Sequence, residues 1–241
     1  MAAYVGPAFQ SNSSKARNYA VGGARATDYP DRVNLPRQVE TFLDDVEHAA
    51  PAVALYVIEI GSNDIRDALV EFFTVYQLTG DQNQAAGAAN TVLTNALNGI
   101  AGNIQGLYTY GARKFLVWNA PRLDSVPAVK AMGPQAVYVA GMLTDGFNFG
   151  LANSVLAPLS YLPGSQIAQL DISSKMTTII GSPSDFGLTN VTDPCVMPNT
   201  PPFTCKQPDN YFFWDGIHPT KAVHTIINQL AADVLAGYSS P

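Results

Sequence analysis

The sequence predicts an α/β fold in which a parallel sheet is covered by helices on both faces. Three observations carry that expectation. Short runs of apolar and β-branched residues recur along the chain, and helix-length segments separate them. The runs are nearly continuous in hydrophobicity, as in strands buried on both faces of a parallel sheet. The 241 residues, 47% of them hydrophobic, suit one α/β domain, 1–241, with a substantial core.

From the N-terminus, RNYAV (17–21) reads as a short strand ending at Gly22-Gly23. LPRQVETFLDDVEHA has helical apolar spacing at Val39, Phe42, Leu43 and Val46. AVALYVIEI (52–60) reads as a buried strand, and Asn63-Asp64 opens the next helix, with Asp64 as its expected cap. Residues 82–106 form a long Ala/Asn-rich helix, and KFLVWNA (114–120) is a second buried strand. A helix over 134–157, a strand QIAQLDI (166–172) and a short helix at 174–180 follow. Residues 181–218, rich in Pro, Asp and Asn, read as irregular, and a helix over 220–236 closes the chain.

Composition narrows the partners. Net charge is −6 with no Lys/Arg run, so no nucleic acid partner is expected. No apolar stretch reaches the roughly 18 residues of a membrane span. The N-terminal residues lack a basic segment followed by an apolar one, so they do not read as a signal peptide. Cys195 and Cys205, the only cysteines, flank a Pro-rich loop. They suit a loop-closing disulfide in an oxidising compartment and otherwise two free thiols. Two thiols fall short of a zinc site, and phosphate-loop and dinucleotide fingerprints are absent, so neither metal nor cofactor is expected.

In open parallel sheets, ligands bind beyond the carboxyl ends of the strands. The residues there are Gly22-Gly23, Gly61-Ser62-Asn63-Asp64 and Asn119-Ala120-Pro121, joined by FFWDGIHPTKA (212–222). Asp215 and His218, three residues apart around Gly216, have the spacing of a carboxylate that fixes the tautomer of a basic imidazole. The plainer alternative is an Asp-Gly turn beside a surface histidine. Pro219 is expected at the first turn of the following helix. The Asn63 side chain can donate into an oxyanion hole, and Gly23 lets a backbone N–H approach a substrate oxygen. His48 and His224 look incidental, His48 lying near a helix end.

NYAVGGA, IGSND and DGIHPT, in this order and at these strand ends, resemble the SGNH/GDSL hydrolases, most of all the lipase/esterase branch that includes carbohydrate acetylesterases. The resemblance covers essentially the whole chain. It implies a three-layer α/β/α flavodoxin-like fold with sheet order 2-1-3-4-5. It implies hydrolysis of short-chain acyl esters, acetylated sugars among them, in a secreted or periplasmic setting, with a cytoplasmic one still open. By matching position, His218 is the base and Asp215 its orienting acid, while Gly23 and Asn63 form the oxyanion hole. The family's first block, a strand ending in Gly-Asp-Ser-Leu whose Ser is the nucleophile, has no match in the sequence. The sheet is therefore expected to miss its central strand, leaving 17–21 without a neighbour and 52–60 bare on one side. Exposed edges invite pairing, so a homodimer is one expectation. Substitute nucleophiles within the chain are Ser62, Ser11, Ser13 and Ser14. The rival expectation is a carbohydrate-binding relic, or a fragment completed by a second chain, with Tyr56, Trp118, Tyr211, Phe212, Phe213 and Trp214 as cleft candidates.

Overall fold

Three parallel strands organise the chain: β3 (Leu55–Ile58), β4 (Lys114–Trp118) and β5 (Gln166–Leu170), in the order β3-β4-β5. The computed structural model describes residues 6–7, 16–29, 32–197, 200–201 and 203–238. Leu55 pairs with Lys114 and Lys114 with Gln166, so the three carboxyl ends lie level at one edge. Phe115, Leu116 and Val117 are buried at the centre of the sheet.

The expected strand at 17–21 is shorter and stands elsewhere. β2 (Arg17–Asn18) pairs with β1 (Gly6–Pro7), outside the three-stranded sheet. β3 is consequently an edge strand, with no strand among the described residues on its other side. This corrects the expectation that 52–60 is buried on both faces. Ile58 is 6% exposed and Tyr56 packs against Phe115 and Phe42, but Val57 is 55% exposed and Leu55 faces solvent beside it. One face of β3 is covered, and the other, carrying Leu55 and Val57, is about half open to solvent.

Helices fill the intervals. α1 (Leu35–Asp45) begins after Asn34 with Pro36 in its first turn and brings Phe42 onto Tyr56 at 5.5 Å. α2 (Ser62–Thr79) starts after Gly61 and stops at Gly80, whose φ of 68° and N–H bond to the Tyr76 carbonyl end the helix. α3 (Gln82–Thr109) is capped by the Asp81 carboxylate, which accepts from Asn83 N at 2.8 Å and Gln84 N at 3.2 Å. Its buried Ala85, Ala89, Leu93, Ala96, Ile100, Ile104 and Leu107 form a stripe at helical spacing, and the small residues let α2 approach closely.

α4 (Pro127–Lys130) and α5 (Pro134–Gly150) follow β4. The helix expected over 134–157 changes character part-way. A π-helical turn, Leu151–Leu156, joins α5 to α6 (Ala157–Ser160). α7 (Ile172–Gly181) follows β5, and α8 (Lys221–Tyr238) ends the described chain. The segment expected to be irregular holds a small parallel pair, β6 (Asn190–Pro194) with β7 (Tyr211–Phe213). Cys195 and Cys205 are joined in a disulfide just beyond β6.

Candidate active site

β7 delivers the chain into the turn that carries Asp215 and His218. The Asp215 carboxylate makes three of the contacts that hold this turn. Its Oδ1 accepts the N–H groups of Ile217 at 2.8 Å and His218 at 2.7 Å, while its Oδ2 lies 2.8 Å from His218 Nδ1. The Trp214 N–H donates to the His218 carbonyl at 2.8 Å, and Phe213 bridges to Pro219. α8 begins only at Lys221, so Pro219 is not in its first turn as expected; it serves the bridge to β7 instead.

Partial burial pushes the Asp215 carboxyl up. The His218 N–H, the His218 ring and the Ile217 N–H outweigh that, leaving it below its ordinary 3.8. Asp215 is therefore a fixed anion at neutral pH. Its Oδ2 is an acceptor facing Nδ1 of an imidazole whose side chain is 70% exposed.

A second constellation forms where α2 begins. Gly61 has a φ of 114°, and a Cβ there would lie 2.3 Å from the Phe147 ring, so only glycine fits this strand-to-helix corner. Asn63, in the first turn of α2, donates from Nδ2 to the Ala24 carbonyl at 3.1 Å. Asp64 does not cap the helix as expected. Its buried carboxylate reaches across to the Ala26 N–H, 3.1 Å from each oxygen. Burial pushes its pKa up to about 6, against the pull of that N–H and of Arg25. Arg25, also buried, forms a two-bond ion pair with Asp67 at 2.7 and 2.9 Å. The Gly22-Gly23 turn, with Gly23 at a φ of 78°, is thus pinned to α2 by Asn63, Asp64 and Asp67. The Gly23 N–H donates to no described residue.

The structure brings Asp215 to His218 and Gly23 to Asn63, but among the described residues no hydrogen bond joins the two pairs. Both belong to loops that follow the carboxyl ends of strands. Asn63 follows β3, and the Asp215 turn is tied to the segment after β4 by Ala128 N–H donating to the Gly216 carbonyl at 2.9 Å. The end of α5 ties the loop after β3 to the loop after β4. Phe147 packs on Gly61, and the Asn148 amide exchanges two hydrogen bonds with Ala120, at 2.8 and 3.0 Å. Asn119 in turn bonds Asp171 at 2.7 Å, tying the loop after β4 to the one after β5.

Ser62 opens α2 beside Asn63 and makes no hydrogen bond to His218. Ser11, Ser13 and Ser14 lie outside the described residues. Phe212 and Phe213 are core, whereas Trp214 is 43% exposed beside the turn. His48 sits past the end of α1 with a φ of 57°, its ring against Tyr110, and His224 is on α8. Among the described residues, no three His, Cys, Asp or Glu side chains converge as a metal site would require, and no helix is long and apolar enough to cross a membrane. The Asp64, Asp67 and Arg25 contacts were missed in the sequence. Their signal was an acidic pair three residues apart, Asp64 and Asp67, in the first turns of α2.

A model of the GDSL-like Lipase/Acylhydrolase family matches residues 1–231. The chain belongs to the GDSL lipase/acylhydrolase family. Among curated proteins it is similar to GDSL esterases/lipases of Arabidopsis thaliana. One is 28% identical over 191 residues, covering 77% of this chain and 53% of the relative. A second is 28% identical over 186 residues, covering 76% and 51%. A third is 28% identical over 199 residues, covering 76% and 53%. The chain thus spans about half the length of these curated relatives. For a GDSL family member, the parallel sheet with flanking helices is the expected flavodoxin-like architecture, seen here in the strands β3 to β5.

Proposed function

We propose that the protein takes part in carboxylic ester hydrolysis, with His218 as general base. The observation that carries this reading is the Asp215 Oδ2–His218 Nδ1 contact of 2.8 Å in a chain of the GDSL family. Asp215 orients the imidazole, and Nε2 takes the proton of the attacking oxygen. The Gly23 N–H and Asn63 Nδ2 stabilise the oxyanion, Asn63 having a second N–H beyond the one it gives Ala24. The substrates are small-molecule esters with a short acyl group. The disulfide suits a secreted or other oxidising setting.

The attacking oxygen belongs to a serine or to water. Loss of a serine nucleophile typically costs about a million-fold in turnover and leaves roughly 10³–10⁴ over water. An aryl acetate assay combined with a serine-directed phosphonate tests the proposal. The expected result is slow turnover that disappears in His218→Ala. Stoichiometric labelling of Ser62, Ser11, Ser13 or Ser14 would identify the nucleophile, and labelling of none assigns the attack to water. Turnover unchanged in both His218→Ala and Asp215→Asn overturns the proposal.

A second reading draws on the outer edge of β3, which no strand among the described residues pairs with. Two chains pair through that edge, and a sedimentation coefficient of a monomer at micromolar concentration would refute the pairing.

A further inference from the structure

Two unpaired donors stand side by side at the Gly22-Gly23 turn. One is the Gly23 N–H, which donates to no described residue, while the Gly23 carbonyl is held by Arg25 Nη1. The other is the Arg32 guanidinium. Its Nη1 lies 3.9 Å from where a Cβ on Gly23 would sit, and no other described group beyond the adjacent residues comes within 4 Å of that point. Arg32 differs from the other arginines. Arg17 donates to Tyr19, Arg25 and Arg66 to Asp67, Arg37 to Glu40, Arg113 to the Tyr108 carbonyl and Arg122 to Asp124. Arg32 donates to no described residue. It also lines a cleft of about 770 Å³ with Tyr29, Val33 and Pro36, so a solute can reach it. On the same cleft Arg37 and Glu40 neutralise each other, and Asp28 forms no ion pair with Arg32.

A planar cation beside a free backbone N–H suits a carboxylate, whose two oxygens each accept at about 2.9 Å. The Gly23 nitrogen and the Cβ position are each one bond from the Gly23 Cα, so one carboxylate can span both donors. We propose that Arg32 and the Gly23 N–H form a carboxylate site, occupied by the acid that ester hydrolysis releases. This rests on Gly23 belonging to the ester-hydrolysing site. Hydrolysis breaks the bond between the acyl carbon and the alcohol oxygen, and the acyl carbon gains the oxygen of water. The alcohol leaves with one proton and the acid sheds the other to solvent at neutral pH. The former ester carbonyl oxygen already faces the Gly23 N–H, so the product's charge arises beside Arg32.

Binding can be read without turnover, in His218→Ala protein, so that the imidazole takes no part. The probe is sodium acetate, with acetamide as its neutral counterpart and sodium chloride holding the ionic strength constant. In ¹H–¹⁵N NMR, acetate should shift the Gly23 amide saturably and acetamide should not. Arg32→Gln, at an exposed position with no bond to lose, should raise the acetate Kd at least about tenfold. Arg32→Lys keeps the charge without the planar fork and should recover part of that loss. A Gly23 amide indifferent to acetate, equal responses to acetate and acetamide, or a Kd unchanged in Arg32→Gln overturns the proposal. Ester turnover that survives His218→Ala removes the base assignment instead, and the acetate titration still decides whether Arg32 and Gly23 bind a carboxylate.

Discussion

Replacing Asp64 with Asn should remove much of the pH dependence of stability between about pH 4 and pH 6. Asp64 is 2% exposed, and burial raises its carboxyl from 3.8 to about 6 in spite of the Ala26 N–H. The folded state therefore holds the Asp64 proton more tightly than the unfolded chain does. Its contribution to stability is full below the unfolded value of 3.8 and is lost as the pH rises through about 6. At about 1.4 kcal/mol per tenfold change in proton affinity, the loss is about 3 kcal/mol. An Asn oxygen can still accept from Ala26, and no charge is buried. The variant should thus be more stable than the parent at pH 7, by up to about 3 kcal/mol. Asp67, Asp171 and Asp215, held below their ordinary value, act with the opposite sign and at lower pH, outside this window. Urea unfolding followed by circular dichroism across the window measures the difference between the two proteins. A variant that keeps the parent's slope, or a parent whose stability rises from pH 4 to pH 6, would refute the reasoning.

Gly61→Ala should destabilise by about 3 kcal/mol, because its Cβ meets the Phe147 ring and the φ of 114° excludes side chains; an unchanged melting temperature would contradict this. Asp67→Ala strands the buried Arg25 guanidinium and should cost about 3 kcal/mol, with part of the loss recovered when Arg25→Met is added; chemical denaturation of the single and double variants checks both. Asn63→Ala should lower ester turnover by about 10²–10³-fold while costing only about 1 kcal/mol of stability, so an aryl acetate assay and a melting curve on the same sample distinguish a donor from a merely structural amide.

The strands at β4 and β5 were legible in the sequence because their apolar runs report burial directly, with Phe115, Leu116 and Val117 of β4 and Ala168 and Leu170 of β5 all buried. β3 carried the same kind of run, yet Val57 and Leu55 are open. Hydrophobicity records what a strand can pack against, and it does not report whether a neighbour is present. The Asp215–His218 pair could be read because the bonds the Asp215 carboxylate makes are local, within three residues. The contacts that seat Gly23 beside Asn63 could not, since Arg25–Asp67 and Ala26–Asp64 span about forty residues. Asp64 shows the difference at one position. A helix cap needs only neighbours in sequence, and the bond it makes instead depends on a loop brought in by the fold. The β6–β7 pair was hidden for the same reason, as its strands are short and their pairing is irregular.

Everything proposed for the site turns on His218 carrying its proton on Nδ1, toward Asp215, with Nε2 free to take another. Two-dimensional ¹⁵N NMR of the imidazole nitrogens, at a pH where the ring is neutral, observes this directly. His218 should appear as the Nδ1–H form in the parent and should shift toward the Nε2–H form in Asp215→Ala, with His48 and His224 unchanged. A parent in which His218 is already mainly Nε2–H, or a tautomer indifferent to the loss of Asp215, would contradict the assignment of His218 as the base.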